Sequence, residues 1–284
     1  MKKVLVLVAA MTAAVCSAKA EIEFAYEAGA DVVSAYIWRG MYNGGLSLQP
    51  EGLVGFDAKD GAIQFRAGAW ANIGASDWKF KKDGTEIPDV YNPNTYFVPE
   101  VDFIASLTAY GASIGFNEYY YCDDGSSHQS EIWAGYNFGH FLGDYAGAYI
   151  NWYTYIAGND KLPAPTLSNP LKERQVFSSY LELGYDYTVE DFGLTIGAQL
   201  GMSPWESPIY GNDKFAVVNI SAKIDKEFDL GVCTLNVFAQ GSINPDGMVT
   251  DKNDPLYNVY VNAAGDDKVG VQTLNGCIGV GVWF

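Results

Sequence analysis

Ionisable side chains occur inside otherwise apolar segments of this sequence, in pairs that lie two residues apart. Glu100 and Asp102 form one such pair, and Lys223 and Asp225 form another. Successive side chains of a β-strand point to opposite faces, so this spacing places both charges of a pair on one face. Acidic side chains that share the wall of a passage attract cations. The candidate residues for this chemistry are Arg39, Glu51, Arg66, Glu100, Asp102, Glu131, Glu182, Asp186, Lys223 and Asp225.

Other kinds of site chemistry have little support in the sequence. The chain has two histidines, His128 and His140, and the predicted strand between them would hold them at opposite ends. A nucleophilic or acid–base centre needs its groups within mutual reach, so no enzyme is predicted. Oxygen-rich stretches at 244–247 and 251–254 lack the glycine and bidentate glutamate of a calcium-binding loop. No Cys/His spacing indicates zinc, and no cofactor is expected.

Alternation of apolar and polar residues extends over most of the chain and indicates the strands that would position these charges. In the segment 62–73, Phe65, Ala67 and Ala69 share one face, while Arg66 and Trp70 share the other. The 3.6-residue spacing of a helix does not fit this pattern. The predicted strands are 31–40, 47–58, 62–73, 96–109, 112–121, 129–138, 144–156, 176–188, 191–202, 214–227, 231–242 and 274–284.

The connections between these segments alternate in length. Each odd-numbered connection, including the long ones at 74–95, 157–175 and 243–273, exceeds every even-numbered one. Short periplasmic turns and longer extracellular loops are typical of outer-membrane barrels, which have an even number of strands. The pattern therefore predicts an all-β fold, a transmembrane antiparallel up-and-down β-barrel of about twelve strands.

The start of the sequence predicts export. Lys2 and Lys3 precede an apolar run, and the small residues Ala18 and Ala20 follow it, as in a cleaved secretory signal. The predicted organisation is a signal peptide at 1–20 and a single barrel domain at 21–284. The formal net charge is −17. Nucleic acid is therefore not an expected partner, because its phosphates require basic side chains.

The other end of the chain carries an apolar stripe. Ile278, Val280, Val282 and Phe284 share one face of the last strand, and we expect this face to contact outer-membrane lipid. A terminal Phe resembles the signal that bacterial outer-membrane barrels present to their assembly machinery. This resemblance makes Phe284 the candidate assembly signal, the barrel-assembly machinery an expected partner and the bacterial outer membrane the expected location.

Two stretches near the start of the mature chain resemble a known family. "DVVSAYIWRG" at 31–40, followed by "LQPEGLVGF" at 48–56, is similar to the opening hairpin of the TorF-like porins, a group of small exported barrels. The likeness implies a small porin-like barrel. It implies no substrate.

The inward charges leave two functions open. Eight carboxylates, Asp57 included, are expected to face the interior with two or three bases. Glu51, Glu100, Asp102 and Glu131 fall in the predicted extracellular half. One hypothesis is a porin-like channel for ions or small solutes with an acidic, cation-preferring lumen. The alternative is a barrel closed by paired charges, whose long loops bind a surface partner, as in an adhesin or an assembly protein.

Overall fold

The alternating segments form the wall of a closed barrel whose strands all run antiparallel to their neighbours. The computed structural model describes residues 22–74, 99–122, 128–139, 147–164, 169, 171–245 and 274–284. The predicted signal peptide at 1–20, His140 and most of the predicted loops 74–95 and 243–273 lie outside the described residues. Within the described ranges, no helix has the length and apolar character needed to span a membrane.

Sixteen strands are present in the described part of the chain. They are β1 (Ile22–Val33), β2 (Tyr36–Trp38), β3 (Met41–Gly44), β4 (Ser47–Ala58), β5 (Ile63–Gly74), β6 (Glu100–Ala109), β7 (Ala112–Tyr121), β8 (His128–Asn137), β9 (Ala148–Gly158), β10 (Lys161–Pro163), β11 (Glu173–Gln175), β12 (Ser179–Val189), β13 (Leu194–Ser203), β14 (Ala216–Asp229), β15 (Thr234–Ile243) and β16 (Leu274–Trp283).

Twelve of these strands close the barrel. Their order around the wall is β1, β16, β15, β14, β13, β12, β9, β8, β7, β6, β5 and β4, and β4 pairs with β1 to complete the circle. The hairpins β2–β3 and β10–β11 stand apart from the wall. The predicted all-β barrel of about twelve strands is therefore confirmed.

The first wall strand differs from the prediction. It spans Ile22–Val33, whereas the alternation at 31–40 predicts a strand that includes Arg39. The chain leaves the wall after Val33 and forms the β2–β3 hairpin, with Arg39 and Gly40 at its tip. A hairpin alternates its side chains just as a wall strand does, so the local pattern does not distinguish the two.

The two ends of the barrel differ in their connections. At one end, here called the short-turn end, β6 and β7 are joined by Tyr110 and Gly111 alone, both with positive φ. Positive φ at both central residues is the geometry of a tight antiparallel hairpin turn. At the opposite, long-loop end, the segment 34–46 and the segment 204–215 join their strands.

The two faces of the wall differ in side-chain exposure. In β16, Leu274, Ile278 and Val280 are exposed on the outer face, whereas Asn275 and Cys277 are buried inside. Large exposed apolar side chains recur on the outward positions of the other wall strands. Examples are Phe24, Val54, Phe103, Ile132, Leu183, Ile196, Ile224 and Val237. The period-two pattern thus gives an apolar outer surface and a mainly polar interior.

Two irregularities interrupt the wall. Pro50 lies in β4 opposite Ala30 of β1, and the β4–β5 pairing is interrupted at Gln49 and Pro50, with the same register on both sides. This break accommodates a residue that has no N–H for the ladder. A bulge between β13 and β14 turns Val218 inward, where it is fully buried. The alternation alone would place Val218 on the outer face with Ile220.

Phe284 completes the closure between β16 and β1. Its N–H donates to the carbonyl of Ala28 at 2.8 Å, and its carbonyl oxygen accepts from the Ala28 N–H at 3.3 Å.

Each of these two backbone hydrogen bonds contributes about 0.5–1.5 kcal/mol to stability. Deleting Phe284 should therefore lower the free energy of unfolding by about 1–3 kcal/mol, measured by urea titration in detergent micelles. Phe284→Tyr keeps both bonds and serves as the control; equal stability of the deletion and the wild type would refute this role.

Candidate functional site

The segment 34–46, here called the inner loop, folds into the barrel interior from the long-loop end. The Tyr36 ring lies 5.4 Å from that of Trp70 on β5, and the Trp38 ring lies 6.1 Å from that of Tyr119 on β7. On another side of the wall, Asn275 of β16 donates to the Gly40 carbonyl at 2.7 Å. Contacts to separate parts of the wall place the inner loop across the lumen.

An ion pair fixes the tip of this loop. Arg39 donates to both carboxylate oxygens of Glu131 on β8, at 2.7 and 2.9 Å. Tyr119 and Asn117 of β7 donate to the same carboxylate at 2.8 and 3.2 Å. The side chains of Arg39 and Glu131 are 8% and 0% exposed. A desolvated bidentate pair with these additional donors is a strong contact, and we call it the latch.

Aromatic rings surround the guanidinium of the latch. The Arg39 Cζ lies 4.5, 4.0 and 4.9 Å from the ring centroids of Trp38, Tyr153 and Tyr180. Arg39 also donates to the hydroxyl of Tyr210, in the segment 204–215, at 2.7 Å. Burial raises the pKa of Tyr210 well above its usual range, so its hydroxyl is neutral and accepts this bond. The rings add cation–π attraction to the latch.

Gly40 allows the loop tip to approach the wall closely. Its φ is +82°, in the left-handed region that favours glycine. A Cβ at this position would lie 2.8 Å from the Asn219 Oδ1 and 2.9 Å from the Val218 carbonyl oxygen of β14. The Arg39-Gly40 pair therefore supplies both the charge and the backbone conformation that the latch requires.

The latch separates two cavities in the barrel. The upper cavity, of about 390 Å³, lies toward the long-loop end and is lined by residues that include Tyr36, Trp38 and Glu100. The lower cavity, of about 350 Å³, lies toward the short-turn end and is lined by residues that include Trp133, Tyr153 and Glu182. Because Trp38 and Tyr153 both pack on Arg39, the inner loop forms the partition between them.

Several of the sequence-predicted site residues come together as ion pairs. Arg39 pairs with Glu131, as described, and Lys223 lies 3.5 Å from Asp225. Arg66 donates to both oxygens of Asp57 at 2.7 and 3.1 Å and to Glu27 at 2.9 Å. Much of the predicted inward charge is thus neutralised in pairs.

The remaining predicted carboxylates have other partners. Glu100 interacts electrostatically with Asp102, and Glu182 accepts from Asn151 at 3.1 Å. Asp186 interacts electrostatically with Asp225 and Lys223. Glu51 interacts with the carboxylates of Glu27 and Asp31 on β1. Since Arg39 neutralises Glu131, the four carboxylates of the expected extracellular half do not form one unpaired acidic ring. Whether these residues line an open pore stays a prediction.

Sequence reasoning missed several residues of this site. Glu27 and Asp31 lie on β1, and the alternation of Phe24 and Tyr26 with Glu23 and Glu27 could have identified that strand. Tyr210 gives no such signal, because it lies in an irregular segment 171 residues from Arg39 along the chain.

His128 and its neighbours do not form a catalytic arrangement. The Nδ1 of His128 lies 2.6 Å from Glu118, and Ser130 donates to the other oxygen of Glu118 at 2.5 Å. The serine therefore bonds to the carboxylate and not to the histidine, whereas an activated nucleophile needs a bond to its base. Among the described residues, no group of three His, Cys, Asp or Glu side chains could hold a metal ion.

Comparison with known proteins adds only general information. No family model and no curated protein match the chain. Among solved structures, OmpF of Salmonella typhi in complex with daunomycin is similar at 10% identity, covering 93% of this chain and 97% of that one, with a TM-score of 0.32. OccK9 (OpdG) of Pseudomonas aeruginosa is similar at 8% identity, covering 94% and 98%, with a TM-score of 0.26. Likeness at this level carries no functional conclusion.

The contributions of Arg39 and Glu131 to the free energy of unfolding should be coupled. Arg39→Met leaves the buried Glu131 carboxylate without its counter-ion, and such a change costs about 3–5 kcal/mol. The double variant Arg39→Met/Glu131→Gln removes both charges, so it should cost less than the sum of the two single variants. Urea unfolding of the four proteins in detergent micelles measures this. Additive effects would show that the pair is not coupled.

Proposed function

We propose that the protein is a porin-like outer-membrane channel for ions or small solutes, with a cation-preferring lumen that the inner loop narrows. The main support is the pair of cavities that lie on either side of the latch inside one closed barrel. The upper cavity is lined by residues of the inner loop and the lower one by wall residues, and Arg39 contacts a lining residue of each, Trp38 above and Tyr153 below.

The outer surface supports placement in a membrane. The exposed apolar side chains of β16 and of the other wall strands would contact lipid, which is the least costly environment for them. Wall strands of 10–14 residues are long enough to cross a bilayer when tilted. Outer-membrane lipid and the barrel-assembly machinery, through Phe284, are the proposed partners.

Acidic groups in and beside the upper cavity support the cation preference. Glu100 and Asp102 are 5% and 7% exposed, and within the described residues neither forms an ion pair with a base. Negative charge in a narrow, low-dielectric passage raises the local concentration of cations. Glu131 contributes little to this field because Arg39 neutralises it.

A closed barrel with a binding surface is the second candidate function. The observation that favours it is the latch. Arg39 of the inner loop pairs with Glu131 and packs on the Tyr153 ring, and a loop held in this way would block the passage of solutes through the lumen. In that case the long-loop end would bind a surface partner, as an adhesin or an assembly protein does. Conductance distinguishes the two functions, because only a channel passes ions.

Ion conductance and selectivity test the channel directly. In planar bilayers the purified protein should give discrete conducting steps, with a reversal potential in a KCl gradient displaced toward that of K⁺. Glu100→Gln/Asp102→Asn should move this potential toward zero, because it removes the unpaired charge. Glu190→Gln, at the short-turn end, is the control. An unchanged potential in the double variant would exclude these carboxylates as the filter, and a folded protein that never conducts would favour the second function.

The orientation can be tested at two positions of similar exposure. Leu171, at the long-loop end, is 89% exposed, and Val232, in a short turn, is 84% exposed. If the long loops are extracellular, an epitope tag inserted after Leu171 should bind antibody on intact cells, whereas one inserted after Val232 should bind only after permeabilisation. The opposite labelling would reverse the orientation.

A further inference from the structure

The upper cavity has the features of a ligand-binding site. Its volume of about 390 Å³ lies in the range of pockets that hold small molecules. The inner loop contributes Tyr36 and Trp38, and the barrel wall contributes Asn72, Glu100 and Tyr121. With Gln129 of β8, Tyr155 of β9 and Ile209 of the segment 204–215, the site is built from two inserted segments and five neighbouring wall strands.

The charge in this cavity lacks a counter-ion in the described structure. Glu100 and Asp102 lie on the same face of β6, where their carboxyl groups interact with each other. Some internal carboxylates meet a base, as Glu131 meets Arg39 and Asp57 meets Arg66, whereas Glu182 accepts from Asn151. No described base pairs with Glu100 or Asp102.

Two buried polar atoms at this site also lack partners. The Nδ2 of Asn72, a side chain that lines the cavity, has no hydrogen-bond acceptor, although its Oδ1 accepts from Gln49 at 3.1 Å. The Oδ1 of Asp102, which is near Glu100 on β6 but outside the cavity lining, has no donor either. Asn72 is 1% exposed and Asp102 is 7% exposed. Buried polar groups are normally satisfied, so the Asn72 Nδ2 in the cavity lining is available to a hydrogen-bond acceptor on a ligand.

The aromatic side chains of the cavity indicate the chemical class of the ligand. Tyr36, Trp38, Tyr121 and Tyr155 line the cavity together with Glu100. Ring faces beside a carboxylate favour an organic cation over a hydrated metal ion, because they attract the cation and also cover its apolar body. A primary ammonium provides the donors that a carboxylate and an unpartnered oxygen require.

We propose that the upper cavity binds an organic ammonium ion that also carries a hydrogen-bond acceptor. Its ammonium group pairs with Glu100, its acceptor meets the Asn72 Nδ2, and its apolar part lies against the aromatic rings. This inference rests on the proposed function in one respect, since it makes the cavity the entrance at which the channel selects its solute. Binding itself requires no conduction.

Three matched probes test the proposal. Tyramine, tyrosol and 4-hydroxyphenylacetate share a phenol ring and differ in an ammonium, a hydroxyl or a carboxylate end group. Isothermal titration of the folded full chain in detergent should give tyramine at least about tenfold tighter binding than tyrosol, because charge-assisted hydrogen bonds and cation–π contacts both require the ammonium. No binding of 4-hydroxyphenylacetate is expected. This comparison uses the wild type and does not depend on a variant folding.

Variants locate the site. Glu100→Gln should reduce tyramine affinity at least about tenfold, toward that of tyrosol, while Glu190→Gln should leave it unchanged; heat-modifiable migration checks that both variants are folded. Equal affinity for tyramine and tyrosol, no tyramine binding, or full binding by folded Glu100→Gln would each overturn the proposal. Tyramine binding without ion conductance would refute the proposed channel function but not the binding site. Ion conductance without tyramine binding would refute the binding site but not the channel function.

Discussion

The buried ion pair between Arg39 and Glu131 determines how the barrel interior is organised. Removing a guanidinium and a carboxylate from water is costly, and the cost is offset only where geometry and further hydrogen bonds are favourable. Here the carboxylate accepts from Arg39, Tyr119 and Asn117, and the guanidinium also reaches Tyr210. These contacts hold the inner loop across the lumen. The two cavities and their different linings follow from that position.

The outer surface and the interior of the barrel require different side chains. Outside, a continuous apolar surface needs large side chains at every second position, as β16 supplies. Inside, a barrel of twelve strands encloses more space than the inward side chains of its wall can fill. The inner loop and the segment with Tyr210 occupy part of this space. They do so with aromatic rings whose polar groups can still find hydrogen-bond partners.

The barrel could be predicted from the sequence because period two and turn length are local properties. The segments at 47–58 and 112–121 match wall strands to the residue. The strict alternation of connection lengths is wrong at one place, because ten residues join β8 to β9 at the short-turn end whereas six join β7 to β8 at the long-loop end. The β2–β3 hairpin could not be separated from a wall strand, since both alternate. The alternation places Val218 on the wrong face because the bulge adds one residue and reverses the faces of the residues before it, and no local pattern predicts the bulge.

The latch could not be predicted for a different reason. Arg39 and Glu131 are 92 residues apart, and neither neighbourhood carries a signal of the other. The pairing depends on how many strands separate β1 from β8 around the wall and on how far the inner loop reaches inward. Likewise, the sequence indicated an excess of inward carboxylates but not which of them meet a base. The contrast between Glu131, which is neutralised, and Glu100, which is not, appears only in three dimensions.

The most direct test of this account is the single-channel conductance of Glu131→Gln. This variant keeps the size of the side chain and removes the charge that holds Arg39, so the inner loop should leave the lumen more often. The account predicts larger or more frequent openings than in the wild type, with Glu190→Gln behaving as the wild type does. Identical single-channel records for Glu131→Gln and the wild type would contradict the claim that the latch holds the inner loop across the passage.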